Sequence, residues 1–491
     1  MRVVAAIDQG TTSTRALAMD REGRLRPVLS LPHAQHYPAT GHVEQDAGEL
    51  LANVARCLAA AAPDIVGLAN QGESCLAWDA RDGRPICPVI SWQDDRTAGV
   101  VAALARDGVG AEVMARAGLP LDAYFSASKL GWILRHVPQA AELAAAGHLR
   151  LGTTDSFFRD RLTGRFETDL ATASRTSLMN LADGAWDTEL CRLFGVPPAA
   201  LPAIGPTSGE LGVLPGGASL CASIVDQQAA LYGHGCRVPG AAKVTFGTGA
   251  FVQVVTGDLL RADRPGPLPT VAWQRAGEAA VHALDGGVYA AASAVNWARD
   301  LGLFEDHAAI DRFAAPAAID RGLAFVPALA GLGCPHWNRR ARGAWMGLSL
   351  ADGRADLMQA LLEGVALRTA EAMAALAAVQ PFRGPVSVDG GLSRNGYFRQ
   401  FLAEVAGHDL FWPQESEQTA AGLARMAAEA AGIELPEPRP GRVVAATGTA
   451  APGRMERFAA ARRAVEDYAR HPAAVSRESC AGTGPWGASF M

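Results

Sequence analysis

An unbroken apolar run, Val3-Val4-Ala5-Ala6-Ile7, stops at Asp8 and turns over through Gln9-Gly10-Thr11-Thr12 into a second strand-like run, Arg15 to Met19. The first run reads as a central strand covered on both faces. A return after so few residues reads as an antiparallel hairpin rather than a strand-to-helix unit. The pattern restarts near residue 240, where Ala242-Lys243-Val244-Thr245-Phe246 leads through Gly247-Thr248-Gly249 into Phe251 to Val255. A chain of 491 residues is too long for one core. Two hairpins of one kind, about half a chain apart, therefore predict two related α/β domains divided near Cys236 to Gly240. The expected domains are 1–238 and 239–478, with a flexible tail over 479–491.

The intervening segments agree with layered sheets and helices. Asp46 and Glu49 form a capping-box pattern ahead of Leu50, Leu51, Val54 and Leu58, which recur at helical spacing. Ile65 to Ala69 reads as another buried strand. In the second half a helix is expected from about Arg354 to Val379, then a strand at Val386-Ser387-Val388 ending in Asp389-Gly390-Gly391. Further helices are expected from Asn395 and from Gln418. Strand, helix, strand in this order predicts a mixed sheet.

Composition removes several classes of function. A net charge of −6 without a lysine or arginine block argues against nucleic-acid or anionic-membrane partners. No apolar run approaches the ~20 residues needed to span a bilayer, and the N-terminal run is too short for a signal-peptide core. The eight cysteines show no C-x-x-C pair, so neither a metal site nor a disulfide framework is expected. A cytoplasmic protein with reduced thiols is the expectation. His33, His36 and His42 sit among prolines and read as surface residues. Trp186, Trp297 and Trp345 read as packing, and Leu435 to Pro440 as a connector.

Phosphate groups need close backbone approach and N–H donors; glycine gives the access and threonine adds a hydroxyl. Asp8 to Thr14 meets these needs, with Asp8 placed to hold a magnesium ion through water and Arg15 to neutralise phosphate charge. Gly247-Thr248-Gly249 and Asp389-Gly390-Gly391 are two more such loops after apolar strands. Together they predict a nucleotide clamped between two domains. Asp226 follows Ser223-Ile224-Val225 and precedes Gln227-Gln228-Ala229-Ala230-Leu231. It is either a helix cap or a carboxylate that takes a hydroxyl proton during phosphoryl transfer.

These segments resemble signatures of the FGGY family of carbohydrate kinases, nearest to its glycerol kinases. So do Trp92-Gln93, Tyr124-Phe125-Ser126, Gly331-Leu332-Gly333 with Pro335 and Trp337, and Ala341-Arg342-Gly343. The resemblance runs from Val4 to about Gly432. It implies two actin-like, ribonuclease-H-like domains closing over ATP, Mg2+ and a small polyol or sugar, and leaves a homo-oligomer open. It places Asp8 and Asp226 near the metal, with Asp226 as general base. Gly10, Thr11, Thr12, Arg15, Thr248 and Gly249 fall on the phosphates, and Gly390, Gly391 and Asn395 on the nucleotide. The polyol pocket carries over to Glu73, Trp92, Tyr124, Asp226, Gln227 and Tyr289.

One departure stands out. Asn70-Gln71-Gly72-Glu73 has glycine where glycerol kinases carry an arginine, which removes a donor and is expected to open volume for a longer polyol or a ketose. Erythritol, xylulose and ribulose are the alternative acceptors. Tyr289 replaces a usual phenylalanine, and Arg96 beside Asp94-Asp95 is expected to restore part of the missing charge. A structural actin-like ATPase would share the phosphate loops without needing Trp92, Tyr124 and Glu73 beside Asp226.

Overall fold

A computed structural model describes residues 2–260, 266–437, 441–448 and 452–471. The expected tail at 479–491 and the end of the proline-rich connector at 438–440 lie outside these residues. The strand Val4–Gln9 is buried along its whole length. It pairs antiparallel with Ser13–Met19, setting Asp8 opposite Arg15, and Gly10 N–H donates to Ser13 C=O at 3.0 Å to close the turn. On its other edge it runs parallel to Ile65–Asn70, which runs parallel to Ser219–Val225. Leu25–Pro32 and Ser208–Val213 complete a six-stranded sheet.

The second sheet repeats this core. Ala242–Phe246 pairs antiparallel with Ala250–Gly257 and parallel with Val386–Gly390, which runs parallel to Leu410–Trp412. Ala250–Gly257 then pairs with Val281–Val288, as Ser13–Met19 pairs with Leu25–Pro32. The duplicated hairpin thus marks a duplicated sheet, and the order of strands around it is the same.

Helices form where capping and periodicity put them. Asp46 Oδ1 accepts from Glu49 N–H at 2.7 Å at the start of Ala47–Ala61. The reciprocal half of the box is not made, because the Glu49 carboxylate accepts from Ala34 N–H instead. Arg354–Ala377 and Gly396–Ala406 cover the second sheet. Between Ile65–Asn70 and Ser219–Val225 the chain inserts a further layer of helices and three strands of a four-stranded sheet, whose fourth strand, Glu44–Gln45, comes earlier in the chain; no turn or periodicity signal had separated this layer from the rest.

The helix expected from Gln418 exists, at Gln418–Ala430, but it packs on the first sheet rather than the second. Ala420, Leu423 and Ala424 join Val4, Ile65 and Ile224 in one buried cluster. There it crosses the helix Asp226–Gly233 backbone to backbone. A Cβ on Gly422 would fall 1.9 Å from Ala229 C=O, and one on Gly233 2.0 Å from Gln418 C=O. Trp297 and Trp345 stack at 5.5 Å in the second core. Among the described residues no helix is long and apolar enough to cross a membrane, and the described cysteines are all free.

Candidate active site

The first glycine-threonine loop is braced from three sides. The Thr11 carbonyl accepts from Gln45 Nε2 at 2.7 Å, His33 Nε2 at 2.9 Å and Gln35 Nε2 at 3.2 Å. His33 is therefore not a surface residue: it is buried, burial lowers its pKa, and its Nε2 donates to this loop. His36 is exposed, as expected. The second loop is tied to the helix Asp226–Gly233, since the buried Lys243 donates to Gln227 Oε1 at 2.8 Å and Thr245 Oγ1 at 2.9 Å. In the third, Gly390 has φ +89°, and a Cβ there would meet Phe246 C=O at 2.1 Å, so only glycine fits. Nothing stands within 4 Å of a Cβ on Gly391, leaving that backbone open to approach.

Thr11, Thr248 and Gly249, from different sheets, line one cavity of about 140 Å³. Glu73, Trp92, Tyr124, Asp226 and Gln227, all drawn from the expected acceptor set, line the same cavity. Asp226 is the first residue of its helix; Val225 holds the cap position and no side chain caps it. The carboxyl is pushed up to about 7, first by burial, then by the facing charges of Asp8 and Glu73. A base near neutrality is matched to accepting a hydroxyl proton. Trp92 Nε1 donates to Thr11 Oγ1 at 3.0 Å, so the aromatic wall is fastened to the phosphate loop. Trp92 and Tyr124 meet edge to face at 5.6 Å, an arrangement of rings that suits a carbon chain with outward hydroxyls.

Some expected residues are engaged elsewhere. Arg15 pairs with Asp8 and with Glu417, each at 2.6 Å, so its charge is already neutralised within the protein. Asn395 caps the helix Gly396–Ala406 through Phe398 N–H and donates to Ile310 C=O, both at 2.8 Å. Tyr289 lies outside the main cavity, in a smaller one beside it. Gly10, Thr12, Gly390 and Gly391 also lie off its wall. Arg96 does not replace a missing charge, since it is spent on Asp94 and Glu44.

Several residues escaped the sequence reading. Phe251, two positions past Gly249, takes the wall where Tyr289 was expected, and the hairpin motif itself could have pointed to it. Lys129 is fully buried and donates to Tyr124 C=O at 2.9 Å and Trp92 C=O at 3.3 Å, holding both rings. Arg175 and Asp285 also line the cavity. Arg175 Nε donates to Glu73 Oε1 at 2.7 Å. Glu73 has φ +59°, rare for a residue with a side chain, and this bond together with Ser126 Oγ on its carbonyl at 2.9 Å holds it there.

The volume expected at Gly72 is taken. A Cβ on Gly72 would lie 2.7 Å from Val225 Cγ2, so the valine occupies the space the glycine leaves. Gly72→Ala is expected to cost about 1–3 kcal/mol in overpacking. Combined with Val225→Gly it should cost less than the sum of the two single changes. Urea unfolding of the four chains measures this, and additive values would mean the two positions do not touch.

Glycine-threonine loops from two like sheets, converging on a near-neutral carboxylate beside a small cavity with polar and aromatic walls, define a kinase acting on a small molecule. The family models of the FGGY carbohydrate kinases match this chain over residues 3–225 for the N-terminal domain and 242–431 for the C-terminal domain. The chain belongs to the FGGY family of carbohydrate kinases, and its two sheets are the family's pair of actin-like domains. It is 40% identical to a glycerol kinase of Bordetella parapertussis, over 88% of this chain and 89% of that one. It is 42% identical to a glycerol kinase of Rhodospirillum centenum, over 88% and 90%. Among solved structures it resembles Plasmodium falciparum glycerol kinase with ADP, with TM-score 0.85, 25% identity and coverage of 95% and 98%. A xylulose kinase of Brucella ovis, at 23% identity and TM-score 0.82, shares the fold, with coverage of 95% and 100%.

Proposed function

We propose that this kinase moves the γ-phosphoryl group of ATP to a terminal hydroxyl of glycerol. The observation that carries the reading is Asp226, a carboxyl held near neutrality in the one cavity that also receives Thr11, Thr248 and Gly249. The hydroxyl oxygen bonds to phosphorus as the bond to the β–γ bridging oxygen breaks. Its proton passes to Asp226, and ADP leaves. Thr11, Thr12, Thr248 and Gly249 present donors to the phosphates, Gly10 leaves the turn open to their approach, and Gly390 and Gly391 lie along the nucleotide. Glu73, Trp92, Tyr124 and Gln227 hold the acceptor. The glycerol kinases at 40–42% identity support glycerol as that acceptor.

The carboxylates fit a magnesium ion. Asp8 and Asp226 face each other closely enough for the charge of one to raise the other, and no third His, Cys, Asp or Glu completes a cage among the described residues. Mg2+ is commonly held by one or two carboxylates with water and phosphate oxygens. Bound there it would offset phosphate charge. We also read the chain as two working units divided near Cys236 to Gly240, a division supported by the sheets on either side.

Purified protein with ATP and Mg2+ should release ADP rapidly only when glycerol is added, as followed by a coupled ADP assay. Without acceptor, turnover is expected to be at least about 100-fold slower, because water lacks the carbon chain that fills the cavity and aligns the hydroxyl. Equal rates with and without polyol would sink the reading.

A further inference from the structure

A second cavity of about 30 Å³ opens behind the main one, lined by Phe251, Gly287, Tyr289 and Trp337. Arg175 and Asp285 are the two charged residues that line both spaces. Both are buried, at 5% exposure each. Arg175 spends Nε on Glu73 and pairs Nη2 with Asp285 Oδ2 at 3.3 Å. Its Nη1 has no hydrogen-bond partner among the described residues, and neither has Asp285 Oδ1.

Buried polar atoms are left unpaired only at a cost of about 1–3 kcal/mol each. Here an unpaired donor and an unpaired acceptor sit on side chains that touch each other. A hydroxyl is the group that answers both, since it accepts and donates at one oxygen. Glycerol's hydroxyls are already matched by Glu73, Asp226 and Gln227 in the main cavity under the proposed function. The annex has room for about two water-sized groups, which is one further CH–OH unit and not two. Its other walls are aromatic rings, suited to carbon.

Resting on the kinase reading above, we propose that the acceptor site also takes a four-carbon polyol, a tetritol, whose far hydroxyl lies between Arg175 Nη1 and Asp285 Oδ1 with its carbon in the annex. The extra room lies on this side of the pocket, and not at Gly72, where Val225 fills the space. Arg175 then supplies from another segment the guanidinium that position 72 lacks. Pentitols and pentuloses exceed the annex and are expected to be poor acceptors.

The test compares kcat/KM for glycerol, erythritol, D- and L-threitol and xylitol in the wild type and two variants. Gly287→Ala points a methyl into the annex, at 3.6 Å and 3.8 Å from the Phe251 ring, which is ordinary contact, so the chain is expected to fold. Asp285→Asn keeps the volume and removes the charge, and carries the test if the alanine chain is unstable. At least one tetritol should be used within about tenfold of glycerol by the wild type, and each variant should lower the tetritol-to-glycerol ratio about tenfold or more, the range expected for one misfitted group in a pocket. Glycerol turnover with no tetritol turnover overturns the inference and leaves the proposed function standing. Tetritol turnover whose ratio neither variant moves overturns it too. Absence of turnover with every polyol overturns the proposed function and this inference with it.

Discussion

Asp226→Asn is expected to lower kcat for glycerol phosphorylation by roughly 10²–10⁴-fold, the range for loss of a general base, while KM for ATP changes little. The amide keeps the shape and cannot take the proton. In the wild type kcat/KM for the polyol should fall on the acid side of neutrality, because burial and then Asp8 and Glu73 push the metal-free carboxyl up to about 7, a value that a bound Mg2+ lowers. Protonated Asp226 has no room for the acceptor's proton, so activity is lost on the acid side.

Stability runs the other way. The folded protein binds this proton more tightly than the unfolded chain, whose aspartate titrates near 3.8. Above pH 7 the charged carboxylate therefore works against folding, and that penalty shrinks as pH falls from 7 toward 4. The asparagine variant is expected to melt higher than the wild type at pH 8, with the gap closing toward pH 5. A variant with near wild-type turnover would place the base elsewhere, and one equally stable at pH 8 would mean the carboxylate is better solvated than its surroundings indicate.

Gly422→Ala should be among the most damaging one-methyl changes in the chain. The new Cβ would fall 1.9 Å from Ala229 C=O and 2.5 Å from Gly233 N. Both are backbone atoms, so no rotamer change relieves the overlap. The helices must separate, and with them the cluster of Ala420, Leu423 and Ile224. The expected loss is about 3 kcal/mol or more, at the upper end for overpacking, seen as a lower thermal midpoint and lower soluble yield. Gly99→Ala is the control. It lies inside the helix Ala98–Arg106 with nothing within 4 Å of a Cβ, so the same substitution should stabilise by about 0.5–1 kcal/mol. If both variants melt like the wild type, the two helices do not meet backbone to backbone.

Much of this was legible in residues that answer to local rules. The hairpins at Asp8 and Gly247 announced themselves through apolar runs ending in glycine and threonine, and the helices at Asp46, Arg354 and Asn395 through caps and spacing. Asp226 was legible as a choice between a cap and a base, and Val225 in the cap position removes the first option. What was hidden depends on long-range placement. Arg175 sits in a polar turn with no motif, and only the inserted layer brings it against Glu73, a hundred positions earlier in the chain. Gly72 read as an opening because the sequence does not show that Val225 faces it. Arg15 read as a phosphate ligand because Glu417, from the far end of the chain, was not visible as its partner.

The helix Gln418–Ala430 carries a consequence for how the molecule is made. It covers one face of a sheet whose strands all lie before residue 226. In a chain synthesised from its N-terminus, Val4, Ile65 and Ile224 acquire this last part of their cover only when nearly the whole protein has left the ribosome. Until then the first sheet keeps an apolar strip in water, the kind of surface that chaperones hold and that aggregates when crowded. The completed protein hides this dependence, since each half looks like a domain that finished itself.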